Sequence, residues 1–207
     1  MLIGIASTLY YRQQRLEQQA IARLQELDAD FGRAVTIPHC LVRVFQFCHL
    51  PLPRSSIRSI NDVGSAFSDE DMALLRNCTR IGNLDLDRTQ VSDAGLFYLR
   101  NFDRLTILEL DETKVTDAGL IHLTLLPRLR LVTLANTRIS DAGLKHLAQI
   151  ESLTSMDVKY TNISDVGISH LIRLPNLRRI DIEGTGVTQT GIARLKEVYP
   201  DLEIHGP

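Results

Sequence analysis

Apolar and polar positions run along this chain in two alternating rhythms, and the pair of rhythms recurs every 24 residues. Within residues 92–115, Leu96, Leu99 and Phe102 fall three apart, the spacing of a short amphipathic helix. Leu105, Leu108 and Leu110 follow in the order LxxLxL, and the closing alternation predicts a short strand. The strand pattern returns as Ile81-Leu84-Leu86, Leu129-Val132-Leu134, Leu153-Met156-Val158 and Leu177-Ile180-Ile182. Each helix opens on a matching run: Ser92-Asp93-Ala94-Gly95-Leu96, Thr116-Asp117-Ala118-Gly119-Leu120, Ser140-Asp141-Ala142-Gly143-Leu144 and Ser164-Asp165-Val166-Gly167-Ile168. Weaker copies stand at Ser68-Asp69-Glu70-Asp71-Met72 and Thr188-Gln189-Thr190-Gly191-Ile192, so five complete units and a partial sixth occupy residues 68–207. A strict period in this range predicts a solenoid, in which each unit buries its apolar face only against its neighbours.

The recurring polar residues have local readings. The Ser or Thr opening each unit is a helix N-cap, whose oxygen accepts an orphan backbone N–H. The Asp after it lies at the positive end of the helix dipole. Gly95, Gly119, Gly143, Gly167 and Gly191 fall in the first helical turn, where glycine is unfavourable, so their recurrence implies a close approach that a side chain would block. Thr89, Thr113, Thr137, Thr161 and Thr185 follow each strand, and their hydroxyls are expected to bond the turn backbone of the next unit.

The pattern LxxLxLxxT followed by [ST]-D-x-G-[LI]-x-x-L resembles the leucine-rich repeats, with Thr where many members carry Asn. Its length and its Asp–Gly helix opening look most like a bacterial subtype. It is also similar to the cysteine-containing repeats of F-box adaptors, through Cys78-Thr79-Arg80-Ile81. The resemblance implies an α/β fold: a right-handed leucine-rich-repeat solenoid (horseshoe) with a parallel concave sheet and short convex helices, preceded by an N-terminal helix. It implies protein binding without naming a partner.

Residues 1–67 are a different material. Met1 to Tyr11 are apolar and uncharged, too few to cross a hydrocarbon layer that needs about 20. Three readings stand: the tail of a longer membrane span, a short amphipathic anchor, and a helix docked on the domain. Tyr10 and Tyr11 followed by Arg12 suit an interfacial position, which favours membrane association through residues 1–11, with a cytoplasmic protein as the alternative. Residues 12–32 form an amphipathic helix or stalk, with Leu16, Ala20, Leu24 and Leu27 on one stripe. Residues 33–67 are expected to cap the open end of the solenoid, and Ile57, Ile60 and Phe67 sketch a faint extra unit. At the far end Leu202 matches Leu177 after a one-residue insertion, and no further C-terminal domain is expected.

Composition narrows the functions. A net charge of −2 without a polybasic run lacks a nucleic-acid footprint. Three cysteines do not make a disulfide framework. His39-Cys40 and Cys48-His49 do not have structural zinc spacing, and His122, His146 and His170 sit on helices about 8–10 Å apart, too far to share an ion. A Ser–Asp pair without a placed His is a cap, and no phosphate loop or hydrolase motif occurs. No cofactor, metal or catalytic site is expected.

What remains is the concave strand face. Residues flanking and following the inward leucines point outward: Asn83, Asp85 and Asp87; Ile107, Glu109 and Asp111; Leu131, Thr133 and Ala135; Ser155, Asp157 and Lys159; Arg179, Asp181 and Glu183. Seven of these fifteen are acidic and two basic. The carboxylates of Asp85, Asp87, Glu109, Asp111, Asp157, Asp181 and Glu183 surround an apolar centre of Ile107, Leu131, Thr133 and Ala135, and an apolar centre with a charged rim is how interfaces are laid out. The expectation is a monomeric, non-catalytic scaffold whose concave face binds a protein or peptide of basic character. The alternative is a substrate-recognition adaptor of a ubiquitin-ligase complex.

Overall fold

The computed structural model describes residues 59–61, 65–76 and 80–206. Seven short strands, β1 (Ser59–Ile60), β2 (Asn83–Asp85), β3 (Ile107–Glu109), β4 (Leu131–Thr133), β5 (Ser155–Asp157), β6 (Arg179–Asp181) and β7 (Glu203–His205), form one sheet in chain order. All pairings are parallel, and the register steps by 24 residues each time, from Asn83 to Ile107, Leu131, Ser155, Arg179 and Glu203. The repeat length in the sequence is thus the register of the sheet. Between the strands lie α1 (Asp69–Leu75), α2 (Asp93–Leu96), α3 (Asp117–Leu120), α4 (Asp141–Leu147), α5 (Asp165–His170) and α6 (Gln189–Val198). An α/β solenoid results, and one continuous core runs through it.

The helices are tighter than a uniform α-helix. After α2, α3 and α5 the chain continues as 3-10 helix over Phe97–Asn101, Ile121–Leu125 and Leu171–Arg173. A 3-10 helix has three residues per turn, so positions three apart lie one above another. That is why Leu96, Leu99 and Phe102, spaced strictly by three, are all 0% exposed. Each such side chain contributes about 1.5–3 kcal/mol through burial.

Repeat geometry reaches back to the faint unit: Ile60 pairs with Leu84, and Ile60 and Phe67 are fully buried. At the other end Leu202 is buried like Leu177, and the register has returned to 24 by the pair Arg179 and Glu203. Residues 1–58, which hold the apolar segment, the expected stalk and most of the expected cap, lie outside the described residues, as do Cys40, Cys48 and Cys78.

Two bonding patterns differ from the sequence reading. The threonine hydroxyls close their own turns: Thr89 donates to the Leu86 carbonyl at 2.6 Å, Thr113 to Leu110 at 2.7 Å and Thr137 to Leu134 at 2.6 Å. The carbonyl lies three residues back, within reach of a folded turn, whereas the next unit's turn is engaged by backbone donors. The tie between units is made instead by the Asp of the helix opening. Asp93 accepts the Thr116 N–H at 2.8 Å and its hydroxyl at 2.6 Å, and Asp117 does the same for Ser140 at 2.7 and 2.6 Å. Asp69, Asp141 and Asp165 repeat the arrangement with Ser92, Ser164 and Thr188. The hydroxyl oxygen also caps its own helix, as Ser140 does for the Ala142 N–H at 3.3 Å. The recurring glycine makes room for this carboxylate, since a Cβ on Gly119 would overlap Asp93, and one on Gly143 would overlap Asp117.

Candidate functional site

Each three-residue strand buries its central side chain and sends the flanking two to the opposite, open face, so β2 to β5 read half-buried, buried, half-buried. The register stacks the flanking residues into two columns. One is Asn83, Ile107, Leu131, Ser155, Arg179 and Glu203; the other is Asp85, Glu109, Thr133, Asp157, Asp181 and His205. A third column, Asp87, Asp111, Ala135, Lys159 and Glu183, follows just past the strands. The expected face residues therefore do line up, with one exception. Ala135 is only 4% exposed, its N–H bonded to the Asp111 carboxylate at 2.8 Å, so it lends almost no surface. The apolar centre narrows to Ile107 and Leu131, side by side in register, with Thr133 next to them.

The carboxylates of this face fall into two groups. Beyond the centre they are partnered. The Lys159 ammonium lies 3.0 Å from Asp157 and 3.6 Å from Asp181, and the bond to Asp157 raises its pKa above that of an ordinary lysine. Tyr160 donates its hydroxyl to Glu183 at 2.7 Å, and Arg179 reaches Glu203 at 2.7 Å. Ahead of the centre, carboxylate oxygens of Asp85, Asp87 and Glu109 all lie within 4.8 Å of one another. Burial pushes Asp87 up to about 6, with further upward pushes from the charges of Asp111, Asp85 and Glu109. Burial, then Asp85 and Asp111, raise Glu109; burial also raises Asp111, against the Ala135 N–H that lowers it.

Part of this crowding serves the fold. Asp87 accepts the Asp111 N–H at 2.7 Å, Asp111 accepts that of Ala135, and Asp85 accepts that of Asp87 at 3.1 Å. Buried backbone donors need such partners. Glu109 is different: among the described residues its carboxylate accepts no hydrogen bond, although it is half-buried and its pKa is raised. It borders a hollow of about 320 Å³ with Asn61, Asn83, Leu84, Asp85 and Ile107. A larger hollow of about 720 Å³ runs from Leu131 past Arg178, Arg179 and Tyr199 to Glu203.

Asp85, Asp87 and Glu109 are close enough to share a cation, but exposed carboxylates commonly stand so without one, and we assign no ion. No histidine joins that group, and the three helix histidines form no metal cluster of their own among the described residues. On the helical side Phe97, Ile121 and Leu125 are exposed by 40%, 50% and 58%, with the Arg100 guanidinium 4.1 Å above the Phe97 ring. No described helix is long and apolar enough to cross a membrane.

One turn feature escaped the sequence reading. Arg88, Glu112, Asn136 and Tyr160, one per unit, have φ of 54–55°, and Gly184 continues the column at 68°. Each of the four donates its N–H to a carbonyl one unit further on, which holds the backbone in the left-handed region. The Tyr160 ring, 51% exposed, lies against Gly184 at the rim of the open face.

No family model matches the chain, and no curated protein matches it. Among solved structures it resembles internalin C2 from Listeria monocytogenes str. 4b F2365, with a TM-score of 0.54 and 19% identity over 86% of this chain and 78% of that one. Identity this low speaks for the fold alone, that of a leucine-rich-repeat solenoid.

Proposed function

We propose that the protein is a non-catalytic binding module whose open sheet face docks a basic protein or peptide over β2 to β4. The observation that carries this reading is Glu109: a half-buried carboxylate with no hydrogen bond among the described residues, beside Ile107 and Leu131, in a face whose other carboxylates hold backbone N–H groups, a tyrosine hydroxyl or cations. A half-buried charge in such a position lowers stability, and a cationic partner would relieve it. The charged rim would set the rate of encounter and the apolar pair the lifetime of the complex. The subtype we assign is the bacterial 24-residue repeat; the ligase-adaptor alternative rests on Cys78 and gains no observation here.

The test uses a lysine-rich peptide carrying a central leucine, with the full chain on a biosensor surface. Replacing Asp85 and Glu109 by Asn and Gln should slow association and flatten its salt dependence. Leu131→Arg should instead speed dissociation. If both variants bind as the parent does, the open face is not the interface, and the exposed Phe97, Ile121 and Leu125 become the surface to test. Tethering through residues 1–11 is a separate proposal, resting on their apolar run before Arg12; flotation with vesicles should retain the full chain and lose it when Leu2, Ile3 and Ile5 are replaced by Ser.

A further inference from the structure

We propose that the helical side of the second and third units is a contact surface for an anionic lipid bilayer, with Phe97, Ile121 and Leu125 entering its interfacial layer while Arg100, Arg104 and Arg128 meet the headgroups. None of these residues belongs to the open sheet face, and the inference does not depend on that face. The three apolar side chains are exposed by 40%, 50% and 58%, and they border neither of the two hollows described above, so they stand on open surface. Phe97 and Ile121 hold the same position in adjacent units, and the Phe97 ring lies 5.6 Å from that of His122, so the two units share one patch. Leu125 ends the 3-10 helix that Ile121 begins. Charge on this side has one sign. Residues 97–106 and 121–130 carry Arg100, Arg104, Arg128 and Arg130 against a single carboxylate, Asp103. Arg104 and Arg128 are equivalent positions one unit apart, both exposed, and neither makes an ion pair among the described residues. The Arg100 guanidinium, 4.1 Å above the Phe97 ring, sets a third cation beside the apolar patch.

Apolar side chains flanked by arginines suit the boundary between acyl chains and anionic headgroups, where burial draws in the first and the surface potential draws in the second. The other anionic partners fit less well. A nucleic acid supplies the charge but no apolar layer for Ile121 and Leu125. A folded acidic protein needs pockets matched to three outward side chains, whereas a bilayer needs no matched shape. A bilayer also repels the carboxylates of Asp85, Asp87 and Glu109 on the sheet side, so docking through the helices leaves the open face toward solvent. A short apolar anchor alone holds a bilayer only marginally, and a basic patch is the second contact that makes such binding firm. That links this surface to the tethering proposed for residues 1–11.

The experiment measures partitioning of the full chain onto vesicles of phosphatidylcholine alone and onto vesicles with about 30% phosphatidylserine, at low and at high salt. The parent should prefer the anionic vesicles, and the preference should shrink as salt rises. An arginine near such a surface contributes about fivefold, so Arg100→Gln/Arg104→Gln/Arg128→Gln should lower partitioning onto the anionic vesicles by about a hundredfold and leave the neutral ones unchanged. Lysine at the same three positions keeps the charge and should keep the preference, which separates charge from a defect in folding. Ile121→Ser/Leu125→Ser should weaken binding at high salt as much as at low, because it removes apolar contact. Residues 1–11 are the same in all these chains. A parent that ignores neutral vesicles therefore overturns the tether alone, and a Gln variant that partitions as the parent does overturns the lipid surface. A nona-glutamate peptide that binds the parent while anionic vesicles do not, and is lost with the arginines, also overturns it and makes an acidic protein the partner.

Discussion

The carboxylate that ties unit to unit should carry a large share of the stability, and Asp117 in the middle of the array is the place to measure it. Its two oxygens accept the Ser140 N–H at 2.7 Å and the Ser140 hydroxyl at 2.6 Å. Asp117→Ala removes both acceptors and leaves a part-buried N–H without a protein partner. A hydrogen bond to a charged group contributes about 1.5–3 kcal/mol, so two would give about 3–6. The site lies near the solvent rim, where water replaces some of that, and we expect a loss of about 2–4 kcal/mol. Asp117→Asn keeps one acceptor oxygen for the N–H and should lose about half as much. Urea unfolding followed by circular dichroism reads the loss as a fall in midpoint, and a shallower slope would show the array splitting at the weakened joint. Ser140→Ala removes the same bond from the other side along with a helix cap of about 1 kcal/mol. The two substitutions together should therefore cost less than their sum by at least about 1 kcal/mol. An Asp117→Ala protein within about 0.5 kcal/mol of the parent, or strict additivity with Ser140→Ala, would refute the ladder as a source of stability.

Thr137→Val, equal in volume, should destabilise by about 1–2 kcal/mol, because it removes the buried donor to the Leu134 carbonyl; an unchanged urea midpoint would show that water or another donor serves that carbonyl. Asp87→Asn should stabilise at neutral pH. Its folded pKa of about 6 against the usual 3.8 caps the gain at about 3 kcal/mol, and partial exposure reduces it to about 1. Because the folded-state pKa is raised, the parent's handicap is absent below pH 3.8 and grows as pH rises through 6, so the advantage of the variant should fade between pH 7.5 and pH 4. A gain that stays the same at both ends of that range would rule out charge as its source.

The repeat, the strands and the parallel register were legible because burial imposes them on the sequence: Leu84, Leu108, Val132, Met156 and Ile180 must all face one core, and the spacing shows it. The joint between units was legible too, in a form easily overlooked. Asp occupies the second position of units one to five, at 69, 93, 117, 141 and 165, whereas Gly occupies the fourth position of units two to six, at 95, 119, 143, 167 and 191. The two columns are offset by one unit, which is the mark of an Asp reaching over the next unit's Gly. The left-handed turn could not be read that way. Arg88, Glu112, Asn136 and Tyr160 share a backbone conformation and no side-chain chemistry, because neighbouring carbonyls impose it from outside. Ala135 was misplaced for a related reason: alternation holds within a strand, and position 135 lies past its end, where the turn decides exposure.

On the open face, the residues that hold the solenoid together can be separated from those that do not. Asp87 and Asp111 look like interface residues by charge and position, yet each bonds a backbone N–H of the next unit. Asp157 and Asp181 share Lys159. Removing charge from any of these changes folding and binding together. Among the described residues the side chains of Glu109, Ile107 and Leu131 have no such bond, and the register sets Ile107 beside Leu131, with Glu109 in the parallel column. If the sheet face carries recognition, specificity should concentrate in these three positions, where a substitution alters what the surface offers and leaves the ladder of Asp, Ser and Thr intact. The same reasoning explains how the array tolerates a like-charge cluster at one end. One set of joints lies at the helix openings, on a different edge of each unit, and on the open face Asp87 and Asp111 offset part of the cost of crowding by holding the next unit's backbone.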